Sequence, residues 1–324
     1  MTGLPLKPPG LVNNWLKGDV AETRANQWME WDGNWDLDVA FVGMPFDGCS
    51  VVRSGQRHGP DAVRQRLGFY TAHSVTDQRS MQDLRVADIG DVDVAVSDRE
   101  GSFTRMTETV RHLIEKDINL LAIGGDHSIA EPNMAGIFEA LPGKRVGLIH
   151  FDAHFDVRDL HFGAYSSGIW GKALAERYPD QFRGENIVMV GISDFCNTPK
   201  HDQWVRDQGR TVISNVTVWE KGIHYVIEQA LERAGDGTDA IYVSIDIDGL
   251  DQSSAPGTAA PNPFGIDGRD ACMAVRQFAR HPKTVGLEVV EIIPAYDHDD
   301  MTANLVAVMA LNFCYGIASR DSEG

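Results

Sequence analysis

Short apolar runs alternate with amphipathic stretches from residue 38 onward, and this alternation limits the chain to one fold class. DVAFVGMPFD (38–47), LRVADIGDVD (84–93), INLLAIGGDHS (118–128), KRVGLIHFDAH (144–154), NIVMVGIS (186–193), AIYVSIDID (240–248) and TVGLEVVEII (284–293) read as strands. Helical patterns occupy 59–67, 100–117, 129–141 and the neighbourhoods of 168–178, 220–234, 268–280 and 301–317, with Pro60 in the first turn of the earliest. The strand runs are apolar at odd and even positions alike, so both faces must be covered. Strands of this kind, alternating with helices, form a parallel sheet between two helical layers. The expected fold is a three-layer α/β/α with a mostly parallel central sheet. In such sheets the ligand sits beyond the carboxyl ends of the strands. A single domain is expected over 38–324. It follows an arm, 1–37, in which Trp15, Trp28, Trp31 and Trp35 stand among polar residues. The arm is expected to pack on the body or on a neighbouring subunit.

The chemistry-bearing residues gather at those carboxyl ends. AIGGDHS places Asp126 and His127 after one strand, HFDAHFD places Asp152, His154 and Asp156 after a second, and VSIDIDGLD places Asp246 and Asp248 after a third. A spacing of two puts side chains on the same side of an extended chain. Four carboxylates crowded at one sheet edge, leaving Asp126 aside, would repel one another and be desolvated at great cost. Two divalent cations remove the difficulty. Histidine and carboxylate donors without a thiolate suit Mn²⁺ first, with Ni²⁺, Co²⁺ or Fe²⁺ as alternatives; structural zinc would more often bring cysteine. His112 and His150, each alone in its run, read as packed or solvated side chains.

Charge and cysteine usage narrow the partners. The formal net charge is −18, which disfavours nucleic acid and anionic membranes and suits cations. Cys49, Cys196, Cys272 and Cys314 are scattered without a CxxC pair, so neither a disulfide framework nor a zinc ribbon is expected, and a reducing cytoplasm fits. No membrane span and no signal peptide is expected.

The motifs GGDHS, FDAHFD, SIDIDGLDQSSAPGT and EVVEIIPAYDHDDMTA, in this order over roughly 38–318, resemble the ureohydrolase family of arginases and agmatinases. The resemblance implies hydrolysis of a C–N bond in a linear amidine, a two-metal site, usually manganese, and assembly into trimers or hexamers. It implies His127 and Asp156 on one metal, His154 and Asp248 on the other, and Asp152 and Asp246 as bridges. Asp126 then supports the ligands from behind. Glu291 corresponds to the acid that holds the guanidinium or amidine of the substrate, and Asp156 to the group that moves a proton to the leaving nitrogen. A catalytically silent partner subunit would have lost ligands, and all six are present. A hetero-oligomer with a related subunit stays compatible with the sequence.

Two departures bear on the substrate. Where arginases and agmatinases carry a His-Gly pair, this chain has Ser167 and Gly168 in YSSGIWGKAL. That pair, and Arg158 in DAHFDVR, resemble formimidoylglutamases. After APGT the chain reads AAPNPFG, so Asn262 stands where agmatinases carry an acid, whereas PAYDHDDMTA is agmatinase-like. Ser167, Trp170, Arg158, His161 and Asn262 are therefore the expected substrate contacts. Trp170 would stack on a flat cation, Arg158 would clamp a carboxylate, and His161 would replace the missing histidine. Tyr165, Phe264 and His298 are expected on the loops that shape the pocket. The first expectation is a small cationic guanidino substrate (guanidine, an alkylguanidine or a biguanide) cleaved to urea or a substituted urea plus an amine or ammonia. The alternatives are formimidoylglutamate, cleaved to glutamate and formamide, and agmatine.

Overall fold

The computed structural model describes residues 23–160 and 165–320. Its frame is an eight-stranded sheet. The strands are β1 (Val39–Met44), β2 (Val86–Asp91), β3 (Asn119–Gly124), β4 (Val146–Phe151), β5 (Ile187–Ile192), β6 (Thr211–Ser214), β7 (Ala240–Asp246) and β8 (Thr284–Val290). They lie in the order β2-β1-β3-β8-β7-β4-β5-β6, and every pair is parallel. The helices are α1 (Gly59–Leu67), α2 (Arg99–Glu115), α3 (Ala130–Ala140), α4 (Trp170–Arg177), α5 (Pro199–Asp207), α6 (Asn215–Lys221), α7 (Ile223–Gly235), α8 (Gly268–Arg280) and α9 (Met301–Ala318). A small hairpin pairs His73–Ser74 with Arg79–Ser80.

The side-chain period of two divides each strand between two cores. Val39, Phe41, Leu121, Ile123, Ile149, Phe151, Val243 and Ile245 join the core under α1, α7, α8 and α9. Ala40, Val42, Met44, Leu120, Ala122, Leu148 and Tyr242 join the core under α2, α3, α4 and α5. This is the three-layer architecture that the sequence pattern predicts. The helix α9 has the length and apolarity to cross a bilayer, but it packs against α8 and is mostly buried within the fold. Apolar residues on nearly every side make it a core helix.

The strand β6, the helix α5, the hairpin at 73–80 and the single helical turn Ala25–Trp28 have no counterpart in the sequence reading, and α6 meets the helical pattern near 220–234 only at its end. The strand β6 is four residues long at the sheet edge and only Ile213 is buried, so it carries no extended apolar run. The described part of the arm, from residue 23, lies on the body of its own chain. Ala25 and Met29 are buried in the core, Asp88 N–H donates to Met29 O at 2.7 Å, and Trp35 meets the His112 ring at 5.0 Å. Trp15 falls outside the described residues.

Close backbone approach at the end of β3 sets up the site. Gly125 N–H donates to Met44 O at 2.9 Å, and Asp126 N–H to Phe46 O at 2.8 Å. A Cβ at Gly125 would stand 1.7 Å from the Phe46 carbonyl oxygen, a fixed backbone atom, so only glycine fits. Gly125→Ala must force β3 and the β1 end apart. The expected loss is about 1–3 kcal/mol of unfolding free energy in urea titrations, the scale of overpacking a dense interior.

Candidate metal centre

Four adjacent strands, β3, β8, β7 and β4, deliver the site from their carboxyl ends. At β3, the Asp126 carboxylate caps the turn His127–Ile129 by accepting from Ser128 N–H at 3.0 Å, and it accepts from Cys49 N–H at 2.7 Å. At β7, Asp246 caps the turn Ile247–Gly249 by accepting from Asp248 N–H at 2.8 Å. The strand β4 stops at Phe151, so Asp152, His154 and Asp156 lie on the loop beyond it rather than on one strand face. Asp156 has φ +51° and Glu291 φ +65°. Both are left-handed for residues other than glycine, a conformation that persists only where the surroundings fix it.

The donor atoms converge in two groups. His127 Nδ1 lies 3.1 Å from Asp152 Oδ2, 3.0 Å from Asp156 Oδ2 and 3.1 Å from Asp246 Oδ2. His154 Nδ1 lies 3.2 Å from Asp152 Oδ1 and 3.2 Å from Asp248 Oδ2. Asp152 thus turns one oxygen to each group. Asp246 reaches the first group with Oδ2, while its Oδ1 accepts from Asp248 N–H at 2.8 Å, just as Asp152 Oδ1 accepts from His154 N–H at 2.5 Å. His150 also belongs to the first group, with Nε2 2.9 Å from Asp152 Oδ2.

The arrangement tests its own need for cations. His127 Nδ1 is fully buried and makes no hydrogen bond of acceptable geometry, although three carboxylate oxygens face it. One imidazole nitrogen offers at most one proton. Several anionic oxygens and a nitrogen aimed at one buried point are instead the donor set of a divalent cation, and the residues present fit two of them. The protonation energetics agree. Burial and the neighbouring Asp248 and Asp152 push Asp246 well above the ordinary carboxylate range, and burial with Asp152 raises Asp248 to about 6. For Asp152 burial works upward too, but His127, His150 and His154 outweigh it and hold the carboxyl well below that range. Burial pulls His127 down, and the three carboxylates overcome it and hold the imidazole well above its usual value.

Buried neighbours orient these groups. The other His127 nitrogen, Nε2, meets Ser244 Oγ at 2.9 Å. Trp170 Nε1–H donates to Asp156 Oδ2 at 2.9 Å, and its ring lies 5.0 Å from His127 and 5.1 Å from His150. Glu291 accepts from His127 N–H at 2.9 Å and from Gln56 Nε2–H at 2.6 Å. Burial, then the nearby Asp126, pushes the Glu291 carboxyl up to about 8.

Several expected substrate contacts change role. Trp170 is 1% exposed and lies behind Asp156, His127 and His150. It supports the site from within and cannot stack on a substrate. Asn262 is 6% exposed; its amide donates to Ser193 Oγ at 2.7 Å and accepts from Phe264 N–H at 3.1 Å, so it closes its own loop. Tyr165 O–H bonds to Glu131. Ser167 is buried and its hydroxyl makes no hydrogen bond among the described residues, while Phe264 and His298 are exposed. His161 lies outside the described residues. Sequence reading missed His150, Gln56 and Ser244. Ser244 carried a signal, two residues before Asp246, but Gln56 is distant in sequence from every motif.

Metal binding has a direct thermodynamic readout. Manganese at about 100 times its dissociation constant should raise unfolding stability by about 2.7 kcal/mol per site, and a chelator should reverse the rise. Asp152→Asn, which removes the shared carboxylate, should lose most of the increment in calorimetry. An unfolding transition unmoved by Mn²⁺, Ni²⁺ or Co²⁺ would contradict the assignment.

Comparison with known proteins agrees with this geometry. The family model described as Arginase family matches residues 37–315. A formimidoylglutamase of Halalkalibacterium halodurans is 31% identical over 288 residues, covering 88% of this chain and 89% of that protein. A guanidinopropionase of Pseudomonas aeruginosa is 34% identical over 278 residues, covering 84% of each. The crystal structure of formimidoylglutamase from Bacillus subtilis superposes with a TM-score of 0.89 at 28% identity, covering 97% of this chain and 96% of that one. Acidic and imidazole donors at four neighbouring strand ends, on a sheet of this order, place the chain in the arginase family, whose members hydrolyse C–N bonds of amidino and guanidino compounds.

Proposed function

We propose that the chain hydrolyses a linear amidine that carries carboxylate groups, of the formimidoylglutamate type, to an amino acid and formamide. The carrying observation is a cationic cluster formed by Arg158 on the loop beyond β4, Lys172 on α4 and Lys200 on α5. Arg158 is exposed and pairs with no carboxylate among the described residues, and Lys172 and Lys200 share the single acid Asp159. Three cations against one anion stand out on a chain of net charge −18. The Ser167-Gly168 pair and Arg158 also become one feature here. Arg158 N–H donates to Gly168 O at 2.8 Å, and a Cβ at 168 would stand 2.9 Å from Arg158 Cδ. Glycine after Ser167 therefore lets the Arg158 stem pass. The similarity to formimidoylglutamases points the same way.

The reaction adds water across the amidine C–N bond: oxygen goes to carbon and the leaving nitrogen gains a proton. Two cations held by His127, Asp152, His154, Asp156, Asp246 and Asp248 would supply a water ionised near neutral pH. Asp156, fixed by Trp170, carries the proton to the leaving nitrogen. The Glu291 carboxyl, raised to about 8 by burial, gives up its proton as a cationic amidine arrives beside it and accepts the planar N–H groups. Arg158 takes the substrate carboxylate. Mn²⁺ is the proposed native metal, with Ni²⁺ as the alternative, and a trimer or hexamer is the proposed assembly.

A guanidino substrate is the second reading. It is favoured by the PAYDHDDMTA segment and by the 34% identity to guanidinopropionase. A guanidino acid would use the same cationic cluster; guanidine itself would not.

A panel of formimidoylglutamate, guanidino acids, agmatine, guanidine and biguanides, assayed for formamide, urea and ammonia, separates the readings. Formimidoylglutamate should give the highest kcat/KM. Arg158→Met should raise its KM about 10- to 100-fold, the worth of a lost hydrogen bond to a charged group, with agmatine unaffected. Faster turnover of guanidine than of any carboxylate-bearing substrate would overturn the proposal.

A further inference from the structure

Arg210, just before β6, is a buried cation without a counterion. It is 6% exposed, and no carboxylate among the described residues pairs with it. Its Nε has no hydrogen-bond partner, and Nη2–H donates to Gly171 O at 2.8 Å. The guanidinium lies 4.8 Å from the Trp204 ring and 5.4 Å from the Phe182 ring. Burial draws its pKa down to about 9, so it remains charged near neutrality. An unpaired buried charge is among the costliest groups a fold can hold. Cation–π contacts offset only part of that cost. A side chain needed here for packing alone would do better without its charge.

Its hydrogen bond shows what the charge holds. Gly171 lies in the first turn of α4, and its N–H donates to Asp156 O at 3.1 Å. A Cβ at Gly171 would stand 3.0 Å from that oxygen and 3.4 Å from Arg210 Nη1, so glycine lets all three groups close together. Trp170, one residue earlier, donates to Asp156 Oδ2. The first turn of α4 therefore grips Asp156 at both backbone and carboxylate, and Arg210 holds that turn through the Gly171 carbonyl. Asp156 needs the grip because its backbone is left-handed, at φ +51°.

We propose that Arg210 is a positioning residue for Asp156. It clamps the start of α4 so that Trp170 and Gly171 hold Asp156 with Oδ2 turned toward His127 Nδ1. The inference rests on the two-cation reading of the site. It concerns the cation that Asp156 shares with His127 and leaves the one at His154 and Asp248 alone.

The test is Mn²⁺ binding to the full chain by equilibrium dialysis, with thermal unfolding of the metal-free protein measured alongside. Wild type should bind two Mn²⁺; fewer would refute the two-cation reading itself. Arg210→Met keeps the reach and removes the charge and the donor. It should weaken one of the two Mn²⁺ constants about 10- to 100-fold, as loss of a supporting partner does in other metal sites, and leave the second unchanged. Arg210→Lys keeps the charge without the planar fork and should show an intermediate loss; it decides the question if Arg210→Met does not fold. Trp170→Phe should reproduce the single-site defect, and Arg210→Met with Trp170→Phe should cost less than the sum of the two, because both act through Asp156. Unchanged Mn²⁺ constants, an equal fall at both sites that tracks lower thermal stability, or full additivity would each overturn the proposal.

Discussion

One imidazole nitrogen faces three carboxylate oxygens, and the rest of the site is arranged to make that tolerable. His127 Nδ1 stands about equally far from Asp152 and Asp156, on the loop beyond β4, and from Asp246, at the end of β7. In water such a group would disperse. Here backbone donors restrain it: Ser128 and Cys49 N–H hold Asp126, Asp248 N–H holds Asp246, and His127 N–H holds Glu291. The protein thus keeps anionic oxygens together before any cation arrives, and cation binding releases electrostatic strain already built into the fold.

A second polar layer lies beneath the first. Glu288, Ser244 and His150 stand side by side on β8, β7 and β4, in register, on the face that packs under α3. Glu288 accepts from Asn133 Nδ2–H at 2.6 Å and from Tyr242 O–H at 3.1 Å. Ser244 meets His127, and His150 meets Asp152. A row of polar side chains inside an apolar layer is costly unless its members satisfy one another. Here Ser244 and His150 each reach a ligand group and Glu288 reaches the helix behind, while Glu288 Oε1 and His150 Nδ1 stay without a hydrogen-bond partner among the described residues.

The sheet and the six clustered residues were legible because both obey local rules. Apolar runs mark buried parallel strands, and polar residues that break such a run at its carboxyl end mark a site. The spacing of two was right in its outcome but not in its reason: β4 stops at Phe151, and a loop with a left-handed Asp156 does the positioning. Roles set by tertiary contact were not legible. Trp170, at the start of α4, and Asn262, on a loop, lie where substrate contacts were expected, yet both turn inward, because an indole N–H and an amide also satisfy buried partners. His150 read as an ordinary packed histidine, since nothing local shows that its ring meets Asp152. Arg210 and Gln56 lie far in sequence from what they touch. The short edge strand β6 had too few buried residues to show a pattern.

The strand order also constrains when the site can exist. The last strand in the chain, β8, lies in the middle of the sheet, between β3 and β7. Until residues 284–290 are made, the chain can build only two partial sheets, β2-β1-β3 and β7-β4-β5-β6, each with an open inner edge. His127 belongs to the first, Asp152, His154, Asp156, Asp246 and Asp248 to the second, and Glu291 follows the strand that joins them. Long-range parallel pairing is slow and leaves unpaired edges exposed in the meantime. The complete set of donors therefore assembles only with the last step of sheet formation, and a nascent chain that has not closed its sheet lacks the full set of groups to hold both cations.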